Sequence, residues 1–181
     1  MLICVDAGHG GTDPGAIACD QNTRECDLNL QMALSFGQKI ESLPNAEVLY
    51  TRVSDRFVAL QDRCNVANAA KADLFVSFHF NSSNNALAKG SESLVYNKNN
   101  MNPMVRTLAR ALPRATNLYD RGVVERKNVF VLRKTNMPSI LLEIGFLSNP
   151  NELRICKDPK FIDKVASYLA LTLEPFILRK G

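Results

Sequence analysis

The chain has 181 residues, of which 46% are hydrophobic and 22% charged. This length suits one domain and is sufficient to bury a core without disulfides or a structural metal. The net charge of +4 is scattered along the chain and is too small to indicate a nucleic-acid partner. The composition also excludes collagen, coiled-coil and disordered chains.

No segment has the pattern of a membrane span or a secretion signal. The most apolar stretch, residues 140–147, is too short to cross a bilayer and contains Glu143. The chain begins MLICVD, without a basic leader or a long apolar region, so we expect synthesis in the cytoplasm without a signal peptide. The five cysteines form no C-x-x-C pair and are expected to be reduced thiols.

Strand and helix patterns alternate from the start of the chain. A loop is predicted at residues 8–15, where glycines and a proline prevent regular structure. The other elements expected in the first half are strands at 2–6, 47–51 and 73–80, a helix at 25–43, and a helix that begins at Ser54 and carries Phe57, Leu60, Cys64 and Ala67 on one face.

The second half continues the alternation. Its expected elements are a strand at 93–96, a helix from Asn102-Pro103 to about Leu112, a loop at 113–127, strands at 129–133 and 139–145, and a helix at 161–176. Apolar strands separated by helices predict a three-layer α/β fold, with a twisted, mostly parallel sheet of about six strands and helices on both faces. Ligand sites in such folds lie at the carboxyl ends of strands.

Three polar residues stand in unusual positions within this pattern. His9 follows the first strand, His79 lies near the end of the third, and Glu143 lies within the apolar run ILLEIG. A carboxylate among aliphatic neighbours is costly to bury unless it is paired, protonated or metal-bound. Glu143 is therefore explained either by a functional role or by a salt bridge to an arginine such as Arg133.

The two histidines in the sequence both fall at this edge of the predicted sheet. Two imidazoles and a carboxylate are a ligand set of catalytic zinc sites, which keep a fourth position open to water. Glu25, at the start of the first helix, is the best-placed third ligand. On spacing alone, four aspartates compete with it: Asp6, Asp13, Asp20 and Asp27.

Four segments resemble the motifs of one enzyme family. They are VDAGHGGTDPGA at 5–16, RECDLNL at 24–30, SFHFNS at 77–82 and LLEIGFLSN at 141–149. In this order they are similar to the zinc-dependent N-acetylmuramoyl-L-alanine amidases of the Amidase_3 type. Residues 51–52, 63–68 and 131–133 also look familial, so that the resemblance covers nearly the whole chain.

The resemblance implies that His9, Glu25 and His79 bind one Zn²⁺ and that Glu143 is the catalytic carboxylate. The implied reaction is hydrolysis of the amide between the lactyl group of N-acetylmuramic acid and L-alanine in peptidoglycan. Zinc would activate water, and Glu143 would carry its proton to the leaving amine. Asn81 is a candidate for a hydrogen bond to the substrate.

Two further aspartates, Asp6 and Asp13, are candidates to orient a ligand histidine. We expect residues 1–181 to form a single catalytic domain without a separate wall-binding domain, and to act as a monomer on the cell wall. A phage endolysin released at lysis fits a chain without a leader, and an excised catalytic domain is the alternative. A zinc exopeptidase and a non-catalytic wall-binding module are the competing functions.

Overall fold

A six-stranded sheet forms the centre of the computed structural model, which describes residues 1–179. In chain order the strands are β1 (Leu2–Ala7), β2 (Glu47–Tyr50), β3 (Leu74–Asn81), β4 (Ser91–Val95), β5 (Asp120–Glu125) and β6 (Ser139–Phe146). Their spatial order is β2-β1-β3-β6-β4-β5. All neighbouring strands in it are parallel except β4 and β6, which are antiparallel.

Helices cover both faces of this sheet. They are α1 (Glu25–Glu41), α2 (Leu60–Ala69), α3 (Pro103–Thr116), α4 (Phe130–Lys134), α5 (Pro150–Cys156) and α6 (Pro159–Leu178). The larger apolar core lies between the sheet and α1, α3, α5 and α6, whereas α2 and α4 enclose a smaller core on the opposite face. The predicted three-layer α/β fold with about six strands is therefore confirmed.

The two cores share the strands because side chains alternate between the faces of a sheet. On β3, Val76 and Phe78 point into the larger core, and Phe75 points into the smaller one. His79 continues the series of Phe75 and faces the α2 and α4 side. On β6, Glu143 follows Leu141 of the smaller core in the same way. The parity of the strands thus places both polar groups on one face.

The predicted helix from Ser54 is wrong at its start. Helix α2 begins at Leu60 after Ala59, whose side chain makes no capping bond, and Phe57 lies outside the helix with 57% of its surface exposed. Residues 52–59 instead form an irregular segment beside the end of β1. Of the residues that suggested the helix face, Phe57 belongs to this segment, whereas Leu60, Cys64 and Ala67 lie in α2.

The loop predicted at residues 113–127 is also wrong. Helix α3 continues through Pro113 to Thr116 and ends where Asn117 takes a left-handed conformation. Strand β5 follows at the edge of the sheet. Its sequence, DRGVVE, has three charged residues and a glycine, which is typical of an edge strand but gives a weak strand pattern.

Residues 129–133 form a helix and not the predicted strand. Helix α4 places Val131 and Leu132 against the smaller core, and an apolar run this short does not distinguish a helix from a strand. The sequence pattern also missed α5, which Asn149 caps by accepting from the backbone of Asn151 and Glu152.

The five cysteines are free thiols, as predicted. Helix α6 extends the predicted segment by two residues at each end. Within residues 1–179, no helix has the length and apolar character needed to cross a bilayer.

The central helix α6 offers a direct test of the larger core. Leu169 is fully buried, whereas Leu171, two residues further along the same helix, is 59% exposed. We expect Leu169→Ala to lower the free energy of unfolding by about 2–5 kcal/mol because it removes packed methyl groups. The matched change Leu171→Ala is expected to stay within about 0.5 kcal/mol. Urea denaturation measures both values, and equal losses would contradict this packing.

Candidate active site

The carboxyl ends of β1, β3 and β6 bring three of the predicted site residues to one edge of the sheet. His9 lies two residues beyond β1, and His79 lies near the end of β3. Glu143 on β6 pairs directly with His79 in the register of the two strands. Glu25, the first residue of α1, completes the group from above the sheet.

Glu25 contacts both histidines with one carboxylate oxygen. Its Oε1 lies 2.9 Å from Nδ1 of His79 and 3.3 Å from Nε2 of His9. The two rings meet edge to face, with centroids 4.9 Å apart. The ligand atoms of the three residues all lie within 4.8 Å of one another. The structure therefore brings together the three residues that the sequence singled out.

Further contacts fix this group from behind. Nδ1 of His9 lies 2.8 Å from Oδ2 of Asp13, as expected for an aspartate that orients a ligand histidine. Oε2 of Glu25 accepts from the backbone N–H of Ala16 at 2.9 Å. Asn29, one turn along α1, donates to Oε1 of Glu25 and to the backbone oxygen of Gly8.

Glu25 and the two histidines stabilise each other's charged forms. Burial alone would lower the pKa of His9, but hydrogen bonds with Glu25 and Asp13 raise it to about 9. The pKa of His79 is likewise raised because its bond to Glu25 outweighs burial. Burial would raise the pKa of Glu25, but the two histidines hold it well below its usual range. Without a metal, the site thus favours an ionised carboxylate between protonated rings.

The competing aspartates lie elsewhere or have other partners. Asp20 binds Thr23 and Lys157. Asp27 belongs to a second close group with Cys26 and Asp55. In that group Arg24 bridges the two carboxylates, at 2.6 Å from Asp27 and 3.0 Å from Asp55, so a cation already occupies the position between them.

Glu143 has a different environment from Glu25. Its Oε2 is buried and has no hydrogen-bond partner among residues 1–179. Burial raises the pKa of Glu143 to about 7, against the opposing influence of His79. The alternative salt bridge to Arg133 does not form, because Arg133 stacks on Phe130 at 5.8 Å and its side chain is exposed. Glu143 is therefore a carboxylate with a free oxygen, poised to exchange a proton near neutral pH.

Asn81, the predicted substrate contact, is engaged with the protein. Its Nδ2 donates to Oε1 of Glu92 at 2.9 Å, and its Oδ1 accepts from the backbone of Ser82. Glu92 is the residue of β4 directly opposite Glu143. Asn81 thus supports the strand beside the catalytic edge through Glu92.

Two buried arginines hold the segment that carries His9. Arg63 binds Oδ1 of Asp6 at 2.8 Å and donates to the backbone oxygens of Ala7 and His9. Arg52 donates to the backbone oxygens of Ala7 and Gly8. Asp6, Arg52 and Arg63 are each at most 3% exposed. Asp6 therefore acts on the backbone through Arg63, and the expectation that it orients a histidine ring directly is wrong.

This backbone support has a reason in the conformation of the segment. His9 has a φ of 59°, a left-handed conformation that costs a non-glycine residue about 1–2 kcal/mol. Gly8 leaves room for the His79 ring, since an added Cβ would lie 2.2 Å from two of its atoms. The arginines and Gly8 together allow the two rings to approach.

An apolar cleft of about 270 Å³ opens beside the histidines on the α2 and α4 side. Phe57 and Val58 line one wall, and Phe130 and Val131 line the other. Two of the metal-ligand candidates, His9 and His79, line this cleft. Its other polar lining residues are Asp13 and the paired Asp6 and Arg63, and the rest of the lining is apolar apart from Gly8.

Comparison with known proteins identifies the family to which the chain belongs. Residues 3–174 match the Amidase_3 family, which is described as N-acetylmuramoyl-L-alanine amidase. The chain belongs to this family. The resemblance read from the four motifs is thus confirmed.

Several proteins of known name are similar to this Amidase_3 chain. It is 36% identical to an endolysin of Bacillus phage SPP1 over 173 residues, and the match covers 91% of the chain and 62% of the endolysin. It is 35% identical to the sporulation-specific N-acetylmuramoyl-L-alanine amidase of Bacillus subtilis over 184 residues, which covers 99% of the chain and 70% of that amidase. The chain therefore spans less than two-thirds of the length of the endolysin.

Solved structures of the family have the same fold. The catalytic domain of CwlV, an N-acetylmuramoyl-L-alanine amidase from Bacillus (Paenibacillus) polymyxa var. colistinus, superposes with a TM-score of 0.92 at 35% identity. The match covers 97% of both chains. An N-acetylmuramoyl-L-alanine amidase from Clostridium difficile 630 has a TM-score of 0.91 at 33% identity, over 99% of this chain and 98% of that one.

Sequence reasoning gave supporting roles to Asp6 and Asp13, but none to Arg52, Arg63 or Glu92. Arg52 and Arg63 lie in segments that look familial, but a single arginine after a strand or on a helix is normally read as a surface residue. Glu92 and Arg121 lie in β4 and β5, and β5 was expected to be a loop. Because their partners are distant in the chain, only the strand register reveals them.

The buried pair of Asp6 and Arg63 gives a test of this support. Asp6→Asn leaves the Arg63 charge without its partner, so we expect a loss of about 3–5 kcal/mol in the free energy of unfolding. Hydrogen bonds and Arg63 outweigh burial and lower the pKa of Asp6. The wild type therefore loses this stabilisation as the pH falls below the unfolded value of about 3.9, and Asp6→Asn shows a flatter acid limb.

The matched control is the exposed pair of Lys39 and Asp163, whose charged atoms are 2.7 Å apart. Asp163→Asn is expected to cost less than about 1 kcal/mol, because solvent screens surface pairs. Urea denaturation at several pH values measures both variants. Similar small losses would show that Asp6 and Arg63 do not support the fold.

Proposed function

We propose that this chain hydrolyses the amide between N-acetylmuramic acid and L-alanine in peptidoglycan, with one Zn²⁺ bound by His9, Glu25 and His79 and with Glu143 as the catalytic carboxylate. The observation that carries the proposal is the convergence of three ligand atoms within 4.8 Å, beside a buried carboxylate oxygen without a partner. Membership of the Amidase_3 family supports the same reaction.

The donor set fits zinc. Two imidazole nitrogens and a carboxylate oxygen are typical ligands of a catalytic zinc site with an open position. Asp13 contacts Nδ1 of His9, so that Nε2, which faces Glu25, is the nitrogen that would bind the metal. Such outer contacts are typical of zinc-bound histidines. Protons that now lie between Glu25 and the rings would leave when the metal binds, since ligand histidines must be neutral.

The chain's own residues account for orientation and proton transfer. Zinc, when bound, supplies a Lewis acid that makes water nucleophilic at neutral pH and stabilises negative charge on the carbonyl oxygen. Glu143 takes the proton of the attacking water on its free oxygen. The same carboxyl then gives the proton to the nitrogen of L-alanine as the C–N bond breaks. Glu143 suits both steps because burial raises its pKa to about 7.

The wider biological setting follows from this reaction. We propose that the chain acts on the cell wall as a monomer, with residues 1–181 forming one catalytic domain. The endolysin and the sporulation-specific amidase among the relatives support the wall as the place of action. Among residues 1–179 no lysine lines the cleft, and Arg63, the arginine that lines it, is paired with Asp6, so it fits a glycan better than a phosphate backbone.

Metal content and activity separate the roles of the two glutamates. Glu25→Gln and His79→Ala are expected to lose both zinc and activity, because each removes a ligand. Glu143→Gln is expected to keep one zinc per chain and to lose at least about 100-fold in kcat, the usual contribution of a positioned acid or base. Elemental analysis and release of peptide stems with free L-alanine amino termini measure the two properties.

Two outcomes would contradict the proposal. Loss of zinc from Glu143→Gln would make Glu143 a ligand. A zinc-loaded wild type that frees no L-alanine amine would exclude the amidase reaction and favour an exopeptidase or a wall-binding module. Asp163→Asn, far from the site in an exposed pair, serves as the control that keeps both zinc and activity.

The raised pKa of Glu143 predicts a dependence of stability on pH in the metal-free protein. Because burial raises the pKa of Glu143 from its model-compound value of 4.5 to about 7, the folded state holds its proton more tightly than the unfolded chain. Stability is therefore lost as the pH rises from 4.5 to 7. Glu143→Gln should be more stable than the wild type at pH about 8 and equally stable at pH about 4.

Thermal or urea denaturation of the chelated protein at the two pH values checks this prediction. Addition of zinc to the wild type should reduce the difference, because a nearby cation favours the ionised carboxylate. A difference of the same size at both pH values would indicate a change in packing and not a titration of Glu143.

A further inference from the structure

We propose that the peptide stem of the substrate leaves the active site across β4 and β5, where Arg121 binds its first carboxylate, and that the glycan side lies in the apolar cleft. This inference rests on the proposed amidase reaction and gives it a direction. It also assigns to Arg121 a carboxylate-binding subsite.

The position of Glu143 fixes the direction. The strand order places β6 between β3, which carries His79, and β4. Glu143 thus stands on the β4 side of the three ligand candidates. The proton that Glu143 carries goes to the nitrogen of the leaving L-alanine. This nitrogen, and the stem attached to it, must therefore lie on the β4 side of the scissile carbonyl.

Arg121 is the cation that the stem then meets. Glu92 lies directly opposite Glu143 on β4, and Nε of Arg121 lies 3.1 Å from Oε2 of Glu92. The guanidinium carbon stands 4.9 Å from the centre of the Phe146 ring. Glu92 and the Phe146 ring thus fix the position of the Arg121 guanidinium. Along this edge of the sheet the order is Glu143, Glu92 and then Arg121.

Arg121 has hydrogen-bonding capacity left for a ligand. A guanidinium carries five N–H donors, and the described contacts use Nε toward Glu92 and Nη1 toward the backbone oxygen of Lys89. The Nη2 group makes no hydrogen bond within residues 1–179, and the Arg121 side chain is 37% exposed to solvent. A planar guanidinium with free donors suits a carboxylate, which it binds with two parallel hydrogen bonds.

The first carboxylate of the stem lies at a distance from the scissile amide that Arg121 can reach. Its second residue is a D-glutamate joined through the γ-carboxyl, so its α-carboxyl is the first charged group after the scissile amide. One residue spans about 3.8 Å, which places that carboxylate roughly 6 Å from the scissile nitrogen. Glu143, Glu92 and Arg121 lie on three adjacent strands, so about 9.6 Å, two strand spacings, separates the backbones of β6 and β5. The Arg121 side chain bridges most of this distance, because its guanidinium lies over the Phe146 ring of β6. The carboxylate therefore comes within reach of Arg121.

The apolar cleft offers the complementary environment for the other side of the amide. Its walls at Phe57, Val58, Phe130 and Val131 suit the lactyl and acetamido methyl groups and the C–H face of a sugar. N-acetylmuramic acid has no charge once its lactyl carboxyl is in amide linkage. An uncharged acyl side and an anionic amine side thus fit the two ends of the site.

The test compares two peptidoglycan fragments that differ only at the second stem residue, which carries either a free α-carboxylate or a carboxamide. We expect the wild type to cleave the carboxylate form with at least about tenfold higher kcat/KM, the usual gain from a charged hydrogen bond. In Arg121→Gln this ratio should fall to about one. Loss of the Arg121 contact with Glu92 could weaken the whole site and lower both rates. It would not change the ratio of kcat/KM between the two fragments, so the ratio reports on the carboxylate contact itself.

Arg133→Gln is the matched control, since Arg133 also stacks on a phenylalanine, Phe130 of the apolar cleft. We expect it to keep the wild-type ratio. A wild type that cleaves both fragments equally, or an unchanged ratio in Arg121→Gln, overturns the subsite. A ratio that changes only in Arg133→Gln reverses the direction of the substrate. A wild type that cleaves neither fragment contradicts the amidase reaction itself.

Discussion

The buried contact between Asp6 and Arg63 is the constraint on which the geometry of the site depends. Asp6 is the second-last residue of β1, and its oxygens accept from Arg63, Thr51 and Ser77. This network holds Arg63 in place, and Arg63 together with Arg52 then holds the backbone oxygens of residues 7–9. The strained His9 is kept in position because two buried arginines bind its backbone oxygen and those of the two residues before it.

Two glutamates of one site have opposite properties because their surroundings differ. Glu25 receives hydrogen bonds from both histidines and from Ala16, which favour its ionised form and suit a metal ligand. Glu143 has an oxygen without a partner in the described structure and lies among apolar residues, which favours its protonated form. Hydrogen bonding and burial thus account for the different roles, ligand and proton carrier, that we propose for the two glutamates.

Much of the fold and the core of the site could be predicted from the sequence. Strong strand patterns and the two histidines led to His9, His79 and Glu143, because a polar residue at the end of an apolar strand is conspicuous. On the residues alone Glu25 was the best placed of five acidic candidates, and the motif resemblance then implied it as the third ligand. Short or exposed elements were misread, as at residues 129–133. The partners of Asn81 and Arg121 could not be predicted, since they depend on the antiparallel placement of β4, which periodicity does not encode.

That single antiparallel strand has an evolutionary consequence. Because β4 runs against β6, the beginnings of β4 and β5 lie at the same edge as the ends of β3 and β6. One half of this edge holds the histidine cluster and the buried pair of Asp6 and Arg63. The other half holds Glu92 and Arg121, whose side chains are 11% and 37% exposed. A substitution at Arg121 would therefore leave the buried half and the histidine cluster in place. The stem-facing half of the proposed site could then diverge between walls of different stem chemistry while the proposed reaction stays the same.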